Sequence, residues 1–306
     1  MMDYKKIIKS RSLRLRILKI LSFIPDKLMI KLQYFLKTGR RLNLKSPRRF
    51  TEKIQWYKLY YKNPLMIQCV DKYDVREYIK SKGLEDILIP CYGVYDTPDE
   101  IDWDALPNQF VMKDTLGGGG TSVIIVKDKT TVDIEDLKKR AAEWVKIDAH
   151  NKSGGREWPY YSGKNHRIII EAMLPSNIDE GGLIDYKFFC FNGEPGLVYV
   201  ISDRQVGQKA FFGVFALEYE KLDVVRCDED PPKRDIPKPK AYDEMLEVCR
   251  NLSDPFPEVR VDLYYVEGKI YVGEMTFYDG SGYMTFDPDS FDEEMGELFK
   301  LPKIRC

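Results

Sequence analysis

Residues 260–277, RVDLYYVEGKIYVGEMTF, alternate apolar and polar side chains on both sides of Glu267, Gly268 and Lys269. That pattern is a β-hairpin, and its register constrains what the rest of the chain can build. A two-residue loop pairs Asp262 with Gly273 and leaves Glu274 on the other face. A three-residue loop pairs Asp262 with Glu274 and Arg260 with Thr276, and gathers Val261, Leu263, Tyr265, Tyr271, Met275 and Phe277 into one apolar surface. The second register separates the faces cleanly and is the one expected. It sets two carboxylates opposite each other, which costs energy unless a cation lies between them. Mg2+ held together with substrate phosphates suits such hard oxygen ligands; Arg260 neutralising the pair is the plainer alternative.

A second hairpin, DYKFFCFNGEPGLVYVISDR (185–204), turns at Asn192 and Gly193. Lys187 and Arg204 fall on one of its faces whether the loop has two or four residues, an arrangement suited to an anionic partner. Upstream, QFVMKDTLGGGGTSVIIVKDK (109–129) reads as strand, glycine-rich loop, strand. Gly117, Gly118, Gly119 and Gly120 each cost roughly 0.5–1 kcal/mol relative to alanine. Backbone brought close to a phosphate is the usual reason for such a run, and a mobile hairpin tip is the alternative. The loop is not a Walker loop, because no Gly-Lys-Ser/Thr follows. It is not the dinucleotide fingerprint either, because Ser122 replaces the third glycine and a strand follows. Lys113 faces opposite to Met112 and can project over the loop as a counter-charge.

Elsewhere, residues 50–82 read as two helices broken at Asn63 and Pro64 and stopped by Gly83. A strand at 87–95, a helix at 133–147, a buried strand at 166–174 and a helix at 241–252 complete an α+β chain rather than a doubly wound parallel sheet. With 43% hydrophobic and 32% charged residues the chain is too apolar for disorder. The six cysteines are far apart and there are two histidines, which excludes a Cys/His zinc site and suits reduced thiols in the cytoplasm. No apolar run approaches the roughly 18 residues of a membrane span.

The net charge of −1 conceals an asymmetry: residues 1–62 hold 18 Lys/Arg and three acids, the remaining 244 hold 30 and 46. Within that head, KKIIKSRSLRLRILKILSFI (5–24) can place Ile7, Leu13, Ile17, Ile20 and Ile24 on one face of a basic amphipathic helix. Such a helix suits an anionic membrane surface, at the inner face of the membrane, or packs on its own domain. Nucleic acid is not expected: the pI is about 6.3 and no zinc finger or RRM signature is present.

Taken in order, GRRLNLKSPRRFTEKIQWYKLY (39–60), DKYDVREY (71–78), EIDWDALPNQFVMK (100–113), REWPYY (156–161), RIIIEAML (167–174), DYKFFCFNG (185–193) and GEMTFYDGSGY (273–283) resemble the TupA-like branch of the ATP-grasp fold. The resemblance implies ATP and Mg2+ between two α+β subdomains. It implies a basic helical segment at 1–49, an N-terminal subdomain at 50–108, a lid subdomain at 109–175 and a C-terminal subdomain at 176–306. It makes Lys72 and Lys113 the ATP-phosphate lysines and Gly117–Gly120 the lid. Glu171 lies beside the adenine amino group, with backbone contacts from Ala172 to Leu174. Asp262 and Glu274 become Mg2+ ligands, with Thr276 where related enzymes carry asparagine. Lys187 and Arg204, with Arg260, become the cations that steady a transferred phosphoryl group. DTLGGGG also departs from the His-Gly-Ser-Gly type of loop. The activity implied is an ADP-forming carboxylate–amine ligase. The polysaccharide branch further implies a uronic-acid glycan or sugar nucleotide and a small amine or amino acid as its partners. A sugar-modifying transferase or kinase using the same site, or a nucleotide-binding scaffold, are the competing readings.

Overall fold

The computed structural model describes residues 20–118, 120, 122–152, 154–176, 181–203 and 211–303, with residues 10, 13, 17 and 18 ahead of them. Most of the amphipathic segment expected at 5–24 therefore lies outside the described residues, as do Gly119 and Arg204. In chain order the helices used below are α1 (Asp26–Thr38), α2 (Phe50–Tyr60), α3 (Leu65–Cys69), α4 (Val75–Ser81), α5 (Ile134–Val145), α6 (Tyr242–Ser253) and α7 (Phe291–Leu298).

Two antiparallel sheets carry the chain. The first has the order β1 (Cys91–Tyr95), β4 (Ile168–Glu171), β2 (Phe110–Asp114), β3 (Val123–Val126). Its β1 belongs with strands from 110–171, so this sheet reaches back across the boundary expected at 108. The second has the order β10 (Lys269–Thr276), β9 (Glu258–Val266), β5 (Asp185–Phe191), β6 (Glu194–Ser202), β7 (Phe211–Phe215). A short pair, β8 (Val225–Arg226) with β11 (Phe286–Asp287), forms a separate two-stranded sheet.

Each sheet has its own core. α5 covers the first through Leu137, Ala141 and Trp144, against Phe110, Met112, Ile168 and Ile170. Its start is fixed by Asp133, whose carboxylate accepts the Glu135 and Asp136 amides. α6 covers the second through Met245, Val248 and Cys249 against β5 and β9, whose residues are nearly all buried.

The segment 50–82 holds three helices rather than two. The extra break is at Asp71, whose Oδ1 accepts from the amides of Tyr73 and Asp74, 2.9 Å each. That side-chain turn competes with continued helical bonding. The resulting DKYD corner is what carries Lys72.

The 260–277 hairpin differs from expectation in an instructive way. Val266 pairs with Lys269, Tyr265 with Ile270 and Leu263 with Val272, so the loop is the two residues Glu267 and Gly268. Both have positive φ, 51° and 81°, as a type I′ turn demands. The register then slips between Val272 and Glu274, and Asp262 pairs with Glu274 and Arg260 with Thr276 after all. Gly273 is the extra residue of a β-bulge. A Cβ there would meet Tyr264 Cε2 at 2.9 Å and the Asp262 carbonyl at 3.3 Å. Tyr271, expected on the apolar face, pairs with Tyr264 on the opposite side, and Ile270 and Val272 take its place in the core. The second hairpin turns at Asn192 and Gly193 with φ of 53° and 86°, as its sequence indicates.

Candidate functional site

The glycine-rich loop joins β2 to β3 and is anchored at its base. Gly117 cannot carry a side chain: its Cβ would lie 2.7 Å from Ser122 Cβ and 3.0 Å from Asp114 Cβ. Gly120 has φ of 68°, and a Cβ on Gly118 would point into open space. Asp114 is buried and accepts the Leu116 amide at 3.0 Å, while His166 Nδ1 sits 2.9 Å from both its oxygens. Neither Asp114 nor His166 stood out in the sequence, where each is an unremarked residue flanking a strand.

The two lysines next to this loop behave differently from expectation. Lys113 does not reach over the loop: its Nζ lies 2.7 Å from Glu171 Oε2, with Arg76 3.6 Å from the other carboxylate oxygen. Register explains the contact. Glu171 pairs with Val111 and Lys113 with Ile169, which makes Lys113 and Glu171 diagonal neighbours on one face of β2 and β4. Lys72 is the lysine at the loop. Its backbone amide donates to the Thr115 carbonyl at 2.9 Å and its Nζ to the Gly117 carbonyl. Burial pulls its ammonium below the ordinary lysine value, against the opposing influence of Glu274 and Asp114. Asp71, whose carboxylate shapes the DKYD corner, and Asp74 are both held by Arg167 Nη2, at 3.0 and 2.7 Å. Beyond Glu171, the Ala172 amide donates to the Pro90 carbonyl at 2.8 Å, so the hydrogen-bonding group this residue can turn to a ligand is its carbonyl.

The other half of the site is the face of β5, β9 and β10. The registers place Lys187 beside Asp262, Asp262 beside Glu274, and Arg260 beside Thr276. The Arg260 guanidinium lies among them: Nε is 2.6 Å from Asp262 Oδ1, and Nη2 is 2.7 Å from Asp262 Oδ2, 3.0 Å from Glu274 Oε1 and 3.1 Å from Thr276 Oγ1. Its Nη1 bonds Asp279, which also accepts from Arg226 Nη1 at 3.3 Å. Lys187 Nζ bonds Asp262 and lies 2.7 Å from Asp185. The cation that two facing carboxylates require is thus supplied by the chain itself. Burial pushes the Asp262 carboxyl up to about 6, against Arg260 and Lys187. Burial also acts upward on Glu274, but Lys187, Arg260 and Lys72 together hold it well below the usual carboxylate range.

Asp262 and Glu274 are hard, adjacent oxygen donors and fit Mg2+. Among the described residues no group of three or more His, Cys, Asp or Glu stands together as a cation site. The remaining ligands would therefore come from phosphate oxygens and water, as Mg2+ commonly arranges. Asp279 and Arg226 belong to this charge network and carry no signal in the sequence, because only tertiary pairing brings them in.

Glu258, two residues before Arg260, is the network's outlier. It is fully buried, and neither carboxylate oxygen has a hydrogen-bond partner. Burial, reinforced by Asp279, raises its carboxyl well above the ordinary value, so the folded protein keeps it protonated while the unfolded chain ionises it near 4.5. Its stabilising share is complete below that unfolded value and is lost as pH rises towards the folded one. Glu258→Gln mimics the protonated form, so its stability relative to wild type should improve with pH above about 5, by about 1.4 kcal/mol per pH unit for one proton. Urea midpoints of both proteins from pH 5 to 8 test this; parallel curves would mean Glu258 ionises in the folded state.

No curated protein matches the chain. Among solved structures, D-alanine–D-alanine ligase from Bacillus anthracis is similar at 17% identity and a TM-score of 0.44, over 69% of this chain and 57% of that one. An N5-carboxyaminoimidazole ribonucleotide synthetase in its ADP complex gives 13% and 0.43, over 74% and 50%. D-cycloserine synthetase gives 17% and 0.42, over 78% and 72%. The chain therefore spans about half the length of the first two. A sequence profile described as TupA-like ATPgrasp matches residues 52–300, most of the chain and every site residue discussed above, and the chain belongs to the TupA-like ATP-grasp family.

Proposed function

We propose that this protein is an ATP-dependent, ADP-forming ligase that joins a carboxylate to an amine through an acyl phosphate. The observation that best supports this is the meeting of the two half-sites: Lys72 bonds the glycine-rich loop of the first sheet while its charge acts on Glu274 of the second. One half-buried ammonium thus bonds the loop proposed to bind phosphate and acts by its charge on the carboxylate pair proposed to bind the cation.

Mg2+ and ATP, when bound, supply a charge-neutralised phosphoryl group. The chain's part is to position and to stabilise charge. Lys72 and Lys113 take phosphate oxygens, and Gly117, Gly118, Gly119 and Gly120 let backbone amides approach them. Glu171, the Ala172 carbonyl and Leu174 meet the adenine edge. Asp262, Glu274 and Thr276 face the metal, and Lys187, Arg204 and Arg260 absorb the negative charge that develops on the acyl group. The family's polysaccharide association supports a uronic-acid carboxyl, on a glycan or sugar nucleotide, as one substrate and an amino acid or amino alcohol as the other. The basic head supports a location at an anionic membrane face, where lipid-linked sugars would be at hand. No described helix is long and apolar enough to cross a membrane.

The test is incubation with ATP, Mg2+ and a matrix of uronic acids and amines. ADP, phosphate and an amide mass are expected. A phosphorylated sugar would mark a kinase instead, and no nucleotide turnover a scaffold. Lys113→Met should raise the KM for ATP about tenfold, the worth of a charged hydrogen bond, and lower the melting temperature as well, because the buried Glu171 is left with Arg76 alone. Unaltered ATP kinetics would reduce Lys113 to the structural partner of Glu171.

A further inference from the structure

Of the twelve large apolar side chains that stand exposed among the described residues, seven lie between Leu13 and Leu36. Most of them sit on α1. This helix buries Met29, Ile30 and Tyr34, with Gln33 and Thr38, against the body of the protein. Its opposite face is not the polar one that a surface helix normally shows. Leu28, Leu32, Phe35 and Leu36, at 60, 47, 52 and 43% exposure, form a second apolar stripe at i, i+4, i+7 and i+8. The turn just before the helix adds Ile20 and Phe23, at 70 and 79%. From Leu28 to Leu36 the stripe runs for about 12 Å along the helix.

Charge says what this stripe meets. Lys27 and Lys31 stand one helical turn apart along its edge, and with Lys45 and Tyr60 they line an open hollow of about 320 Å³. Lys27, Lys31, Arg41 and Lys45 are exposed and make no ion pair among the described residues. Asp26, the sole acid between Asp3 and Glu52, is engaged by Arg156 Nη1 at 3.0 Å and by the Tyr161 hydroxyl at 3.1 Å. An apolar stripe bordered by unopposed cations, with a cationic hollow large enough for a phosphate headgroup, is the chemistry of an interfacial helix on anionic lipid. A second copy of the chain would bring lysine edges against lysine edges. The chain's own residues 5–19 hold seven cations and no acid, so they too would be repelled from this edge.

We propose that the outward face of α1 is a membrane-docking surface: Leu28, Leu32, Phe35 and Leu36 enter the headgroup boundary of an anionic leaflet while Lys27, Lys31 and Lys45 hold lipid phosphates. The inference goes beyond the ligase reading and does not depend on it, because docking is measured without nucleotide.

The experiment is sedimentation of the full chain with vesicles of phosphatidylcholine alone and of equal parts phosphatidylcholine and phosphatidylglycerol. Binding to the second and not the first is expected, weakening steeply as salt shortens the Debye length to about 3 Å near 1 M. L32E/F35E and K27E/K31E should each weaken it about tenfold or more with unchanged circular dichroism and melting temperature, since all four side chains point outward. Absence of vesicle binding would overturn the proposal, as would wild-type binding by both double variants. A dimer that L32E/F35E dissolves would make a second copy the occupant and overturn it as well. Stronger vesicle binding after removal of residues 1–24 would show that the chain's own head covers the stripe, which equally overturns it.

Discussion

Glu274→Gln should lower ligase turnover about 10²–10³-fold, the usual effect of removing one preorganised electrostatic group, while the melting temperature stays within a few degrees of wild type. The two readouts separate because of how Glu274 is held. Its side chain keeps 39% exposure, and its Oε1 accepts from Arg260 at 3.0 Å and Thr276 at 3.3 Å. A glutamine amide oxygen can accept both of those bonds, so folding loses little. What it cannot do is bring a negative charge to a divalent cation, and the cations around Glu274 keep that charge in place across the working pH range. Steady-state ADP release against Mg2+ concentration measures the effect. Near-normal turnover at low Mg2+ would remove Glu274 from the metal site.

Arg260→Met should lower turnover too, and it has the larger effect on folding. Arg260 is buried and contacts Asp262 twice, Glu274, Thr276 and Asp279. Losing it leaves Asp262 to Lys187 and Asp279 to Arg226, with an excess of buried negative charge. Breaking such a network by removing one partner costs about 3–5 kcal/mol, which urea unfolding resolves easily. Arg260→Lys should recover part of the loss, since a single ammonium restores charge without the planar fork that serves several acceptors at once. A wild-type unfolding midpoint for Arg260→Met would show that the carboxylates do not need their internal cation.

How much of this was legible in the sequence depends on whether a feature is local. The Asn192-Gly193 turn, the strand–loop–strand around Gly117, and the helix expected at 133–147 follow from neighbouring residues, and all are present. The pairing of Asp262 with Glu274 was legible because alternation had to keep Leu263 and Met275 inside. The route to it was not: a Glu-Gly turn is an unusual I′ sequence, and the compensating bulge at Gly273 shows itself only when both ends of the hairpin are seen together. Asp71 hid its helix-breaking role for a related reason, since an aspartate inside an otherwise helical run declares a side-chain turn only through its geometry. Least legible were pairs made by strand order. Lys113 finds Glu171 because β4 lies beside β2, and Asp279 finds Arg260 and Arg226 from a loop beyond β10. No spacing rule connects those residues.

The bulge at Gly273 also divides β10 into two strands of opposite parity. On the turn side, even-numbered residues, Ile270 and Val272, are buried; beyond it the odd-numbered Met275 and Phe277 are. Without the shift, Glu274 would follow Val272 into the hydrocarbon interior and Met275 would emerge among the charges. One glycine therefore acts as a frame change in three dimensions. Pairing it in line would exchange the two faces of everything downstream, whereas deleting it would let Glu274 follow Val272 directly and keep both faces by plain alternation. The distal turn, by contrast, stands in its own frame. Insertions of even length at Glu267 and Gly268 would leave the charged face in phase, so the hairpin tip is free to vary where the strand end is not.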